Sequence, residues 1–172
     1  MRFDKQQISQ ICKLLTAHLR DEDFPIDFEK ILWNIDQRVT IFNSSFEDDN
    51  VSWIVKKVWS SYEIYYNRNQ SPNRQKFTVA HELWHIVLWH MLNESKKVDM
   101  RMRANWWYTW KEHFEESEAN NFASCLLMPA NIVKKKIKDW LKSSQDLALF
   151  FWVSKQAMDI RLFNLWFDTL DD

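Results

Sequence analysis

In the stretch Phe77-Thr78-Val79-Ala80-His81-Glu82-Leu83-Trp84-His85, two histidines stand four residues apart with a glutamate directly after the first. Residues at that spacing share one face of a helix, so His81 and His85 can direct imidazole nitrogens at a single metal ion. Glu82 then sits one position round, beside the remaining coordination site. Such an arrangement suits a metal-activated water with a carboxylate to accept its proton. The motif is short, and two imidazoles leave a catalytic site one protein ligand short.

About thirty residues further on, Glu115-Glu116-Ser117-Glu118-Ala119-Asn120-Asn121-Phe122-Ala123-Ser124-Cys125-Leu126-Leu127-Met128-Pro129 reads as a second helix with carboxylates at its start. Any of the three glutamates could supply the third ligand and leave the fourth position for water. Asn120 lies one turn after Glu116 and could hydrogen-bond a ligand histidine, fixing the orientation of its ring. His90 shares the first helix but is turned away from the face of His81 and His85, which leaves it a substrate-facing or supporting role at most. His113, read as lying on a loop, could reach the cleft and stabilise an oxyanion. His18 is read as a surface residue.

The two motifs together, F-T-x-A-H-E-x-x-H and then E-x-x-A-N-x-F-A-x-x-L-L-M-P, resemble the ImmA/IrrE family of zincin-like metallo-endopeptidases, from about Val51 to the end of the chain. The resemblance implies an α+β zincin-like domain in which a small antiparallel sheet packs on helices. It places the third ligand on Glu116, with Glu118 and Glu115 as alternatives if the register differs. It implies zinc, or manganese on the same ligands, with Glu82 as the catalytic acid/base. The implied substrate is a helix-turn-helix transcriptional repressor, cut so that genes of a phage, mobile element or stress response are released. In that reading the chain is a metalloprotease whose partner binds DNA, and direct nucleic-acid binding by the chain itself is not expected.

The elements that must position these groups follow from periodicity. Apolar residues at helical spacing (Ile8, Ile11, Leu14, Leu15, Leu19) predict an amphipathic helix over 5–20, and Asp27 is a candidate N-cap for a short helix to Trp33. β-branched and aromatic runs over 38–42, 51–58 and 62–66 predict strands. Ser71-Pro72 opens the central helix, which runs to about Met91. The polar stretch from Asn93 to Glu112 reads as a lid or binding loop. Helices follow over 113–127 and 132–141, the latter lysine-rich. Residues 146–162 resemble a helix-turn-helix with Ser154 as the second N-cap. The whole is read as one domain, 1–172, with a helical extension over 130–172.

With 172 residues, and Lys plus Arg 23 against Asp plus Glu 24, the chain suits one domain and has no global field to recruit nucleic acid or an anionic membrane. Absence of a signal-type N-terminus and of a membrane-length apolar run predicts a soluble, cytoplasmic protein. Cys12 and Cys125 are expected to be buried thiols without assigned chemistry. Glycine is absent, where average usage of about 7% would give roughly twelve, while tryptophan occurs 11 times. Trp84, Trp152, Trp166 and Trp53 stand where the family pattern has glycine, as though glycines had been replaced by, or recorded as, tryptophan. An indole at position 84 is expected to collide with a neighbour, and turns needing positive φ are expected to use Asn67, Asn69 or Asn73.

Two readings from other classes compete. One is a non-catalytic zincin-fold regulator or toxin-type protein that binds a repressor or antitoxin, a role that has no need of Glu82. The other is a DNA-binding regulator centred on 146–162, for which Lys155, Gln156 and Arg161 are few and the tail Asp168, Asp171, Asp172 has the wrong sign.

Overall fold

A computed structural model describes residues 3–35, 38–48, 51–92, 98–102, 110–139, 141 and 143–167, with the main chain alone at 88–92, 98–102 and 110–112. Among these, seven α-helices and four strands occur in the order α1 (Lys5–Thr16), α2 (Phe28–Leu32), β1 (Arg38–Ser44), β2 (Val51–Val58), β3 (Ser61–Asn67), α3 (Pro72–Leu92), β4 (Val98–Met102), α4 (Trp110–Leu127), α5 (Ala130–Lys138), α6 (Ser144–Phe151) and α7 (Lys155–Asn164). None of the described helices is long and apolar enough to cross a membrane.

The helices begin where polar side chains satisfy free N–H groups. Asp4 accepts from the N–H groups of Gln6 and Gln7, both at 2.8 Å, while Gln7 returns a bond to the Asp4 N–H. Asp27 caps α2, and Ser143 and Ser154 cap α6 and α7. The buried face of α1 is Ile8, Cys12 and Thr16, continued by Leu19, whereas Leu14 is exposed. Leu14 falls outside the three- and four-residue steps that join Ile8, Cys12, Thr16 and Leu19 on one face.

The sheet has strand order β1-β3-β2-β4. β2 pairs antiparallel with β3, as expected, and also with β4, but β1 joins β3 in parallel, so the sheet is mixed. β2 and β3 close a tight hairpin and occupy the centre, and β1 docks on the outer side of β3. β4 lies inside the stretch expected to be a lid or loop. Its alternation of Val98, Met100 and Met102 with Asp99 and Arg101 is the strand signal that the surrounding polar residues obscured. Residues 93–97 and 103–109 of that connection lie outside the described residues.

One sheet face, carrying Val55, Tyr62 and Ile64, packs on α3. On its other side α3 meets α4, and α1 closes over α4. Trp84 is fully buried here, stacked on Phe122 with ring centroids 4.9 Å apart and edge-on to Phe3 at 5.3 Å. The expected collision at this position does not occur: the α3/α4 interface accommodates the indole, though its Nε1–H has no hydrogen-bond partner among the described residues.

Tryptophan also takes the left-handed backbone positions expected of asparagine. The positive-φ residues are Trp59 (55°), Trp152 (53°) and Trp166 (62°). Trp59 is the first central residue of the two-residue turn between Val58 and Ser61, where the hairpin twist demands positive φ. Trp152 and Trp166 end α6 and α7 in αL caps, marked by the bonds Val153 N–H to Ala148 O and Phe167 N–H to Leu162 O. These are glycine's positions by geometry, and a Cβ there costs about 1–2 kcal/mol. Trp59 and Trp166 are 94% and 95% exposed, so their indoles contribute little packing in return. Trp59→Gly and Trp166→Gly are each expected to raise stability in denaturant titrations by about 1 kcal/mol; loss of stability in both would contradict this account of the turns.

Candidate metal centre

α3 and α4 bring together side chains 35 positions apart in sequence, from His81 to Glu116. Four-residue spacing puts His81 and His85 on one helix face, with Nε2 atoms 3.1 Å apart. Glu116 arrives from α4 and spans the pair, one carboxylate oxygen 3.2 Å from His81 Nε2 and the other 3.5 Å from His85 Nε2. Donor atoms held about 2.0–2.2 Å from an ion at tetrahedral angles lie roughly 3.3–3.6 Å from one another. Of the observed separations, 3.5 Å lies within that range and 3.1 and 3.2 Å fall slightly short of it. Two imidazoles and a carboxylate are also the donor types that a catalytic zinc site uses, so the residues fit a metal in both chemistry and spacing.

The surroundings favour the same geometry. His81 Nδ1 lies 3.0 Å from Asn120 Oδ1; a proton on Nδ1 donates to that oxygen and leaves the Nε2 lone pair directed at the cluster. Asn120 is one turn along α4 from Glu116, so one face of that helix supplies both contacts. Glu82 is wholly buried, with a carboxylate oxygen 3.8 Å from His81 Nε2. Placing two carboxylates in such a site is costly unless a cation balances them.

The structure thus groups His81, His85, Glu116, Glu82 and Asn120. It separates Glu118, which accepts a hydrogen bond from the Phe3 N–H at 3.0 Å and so fastens the N-terminal segment to α4. Glu115 is not part of the three-residue cluster. His113 lies within α4 rather than on a loop, and is exposed. The side chain of His90 lies outside the described residues. His18 is exposed, in contact with the Lys30 carbonyl and Asn34. Sequence reading missed the part played by Met128 and Arg161: Arg161 Nε donates to the Met128 carbonyl at 2.9 Å, tying the end of α4 to α7. A lone arginine in a helix gives no signal of such a contact.

Residues 36–163 match the model of the peptidase M78 family, described as an IrrE N-terminal-like domain. The match takes in both ligand helices and well over half of the chain, and the chain belongs to this family. Its fold is accordingly the α+β, zincin-like one that the two motifs imply, and family membership supports a metallopeptidase-type role. Among curated proteins none matches the chain. Among solved structures a Mycobacterium tuberculosis transcriptional regulator is similar in fold, with TM-score 0.59 and 12% identity over 91% of this chain and 46% of the other. This chain therefore spans a little under half the length of that protein.

Because Asn120 bonds the far side of the His81 ring, Asn120→Ala is expected to weaken zinc binding by about 10–100-fold in chelator competition. Glu118→Ala, which frees only the N-terminal segment, should leave it within a few-fold. Equal losses in both variants would show that neither contact is specific to the site.

Proposed function

We propose that the chain is a metal-dependent endopeptidase, with zinc the favoured ion and manganese able to use the same donors, and that its substrate is a helix-turn-helix transcriptional repressor. The observation that carries this reading is the convergence of His81, His85 and Glu116, with donor atoms 3.1 to 3.5 Å apart, and a buried Glu82 alongside. A bound metal would polarise the scissile carbonyl and lower the pKa of a water molecule there.

The chain's own residues do the rest. His81, His85 and Glu116 hold the ion, and Asn120 keeps the His81 ring in the required tautomer. Glu82, fixed within the wall of the site, takes the proton of the attacking water and returns it to the leaving amine. Its burial shields that proton from exchange with solvent. β4 lies at the sheet edge in the connection between the two ligand helices, and its outer main-chain groups offer an extended peptide the pairing that a further strand would make.

The repressor as substrate is supported by the likeness to IrrE-type domains. Cleavage of such a protein would relieve repression of genes of a phage, mobile element or stress response. Direct reading of DNA by α7 finds little support in its side chains. Arg161 is buried against Met128, and Lys155 is paired with Asp159 at 3.4 Å. The α5 lysines are partly engaged as well, Lys135 and Lys136 both meeting Asp21.

Glu82→Gln keeps the shape of the buried side chain and removes its basicity. With metal-loaded protein and purified helix-turn-helix repressors from the same genome, the variant is expected to bind repressor as before while cleavage falls by about 10²–10⁴-fold. Undiminished cleavage would remove Glu82 from the mechanism. Binding without cleavage by the unsubstituted protein would favour the non-catalytic regulator.

A further inference from the structure

One group of reactive side chains plays no part in the chemistry above. Cys12 on α1 and Cys125 on α4 are both free and buried where the two helices meet, close enough for each thiol to perturb the other. Behind them Cys12 Sγ lies 3.6 Å from the Phe122 carbonyl. In front, Arg161 Nη1 donates to Cys125 Sγ at 3.3 Å. Arg161 is only 7% exposed, and among the described residues no carboxylate pairs with it. A guanidinium so placed needs an anion, and the Cys125 sulfur is the group in position to be one.

The two thiols differ in access. α1, α4 and α7 border a cavity of about 690 Å³ whose lining includes Cys125, Ser124, Asn121, Arg161, Lys5 and Lys13, but not Cys12. Among the described residues the charged groups that line it are Lys5, Lys13 and Arg161, all cationic. The neighbouring Cys12 and the Arg161 guanidinium together hold the Cys125 thiol below the ordinary thiol range, against the opposing effect of burial. Burial pushes the Cys12 thiol up, leaving it protonated. Cys125 thus borders the cavity with a guanidinium on its sulfur, an arrangement that favours the thiolate, while Cys12 lies away from the cavity and stays a thiol.

We propose that Cys125 is an oxidant-reactive site, reached by small hydroperoxides through the α1/α4/α7 cavity and resolved by Cys12 to a disulfide. The Cys125 thiolate attacks the peroxide; an S–O bond forms as the O–O bond breaks, and the departing alkoxide or hydroxide takes up a proton. Cys12 then gives up its proton and attacks the Cys125 sulfur. The S–S bond forms, the S–O bond breaks, and water leaves. The two sulfurs together lose two electrons and the peroxide gains them. The product staples α1 to α4, the helix that bears Glu116 and Asn120. This chemistry does not depend on the peptidase reading and can fail or succeed without it.

The full-length chain treated with hydrogen peroxide is expected to yield a Cys12–Cys125 cross-linked peptide in non-reducing mass mapping. In Cys12→Ser, dimedone is expected to trap a sulfenic acid on Cys125. Arg161→Gln should slow iodoacetamide alkylation of Cys125 at neutral pH roughly tenfold, with Arg161→Lys retaining more of the rate. Should the arginine variants fail to fold, the unsubstituted protein decides: the alkylation rate of Cys125 should reach half its maximum well below the ordinary thiol value. Absence of both the cross-link and the dimedone adduct, or a half-maximum near the ordinary thiol value of about 8.5, would overturn the proposal.

Discussion

Two imidazole nitrogens facing each other at 3.1 Å, with a carboxylate across both, cannot all present lone pairs to one another. Their mutual repulsion must be relieved by a proton or a cation between them. This constraint organises the fold around the α3/α4 crossing. His81 has its Nδ1 proton committed to Asn120, so its Nε2 meets the cluster as an acceptor. The helix faces then have to be held in register to within a fraction of an ångström, because three donors from two helices must share one point.

Apolar packing and a few long-range polar contacts hold that register. The stacking of Trp84 on Phe122 sets the separation of α3 and α4 on the side opposite solvent, with Phe3 against the indole edge. Phe3 also donates its N–H to Glu118, so the N-terminal segment is fastened to the helix that carries Glu116. At the far end, Arg161 draws the Met128 carbonyl at the end of α4 toward α7. α4 is thus secured along its length from three directions, and α3 is braced from behind by Val55, Tyr62 and Ile64 of the sheet.

Much of this could be read from sequence because its signals are local. Four-residue spacing, Ser71-Pro72 at the opening of α3, and the cap at Ser154 each act within a turn or two of chain, and the observed elements match them closely. The choice of Glu116 as third ligand came from the joint pattern of two motifs, whereas Asn120 followed from its place one helical turn beyond. Three features escaped. The parallel docking of β1 depends on tertiary placement that no strand pattern encodes. The β4 alternation was hidden among polar residues. The Cys12, Cys125 and Arg161 cluster is built from three helices, and in sequence its members look like two core thiols and a surface cation. The tryptophans are a separate case: their backbone angles at 59, 152 and 166 obey glycine's rules while their side chains do not. The chain's turn chemistry was therefore legible only by disregarding the residue type.

The most direct test of the account is metal content. Purified protein reconstituted with zinc and then desalted should retain about one equivalent by elemental analysis. The His81→Ala and Glu116→Gln variants, folded by circular dichroism, should each retain far less. Retention by both variants equal to that of the unsubstituted chain, or no retention by any, would contradict the metal centre on which the proposed chemistry stands.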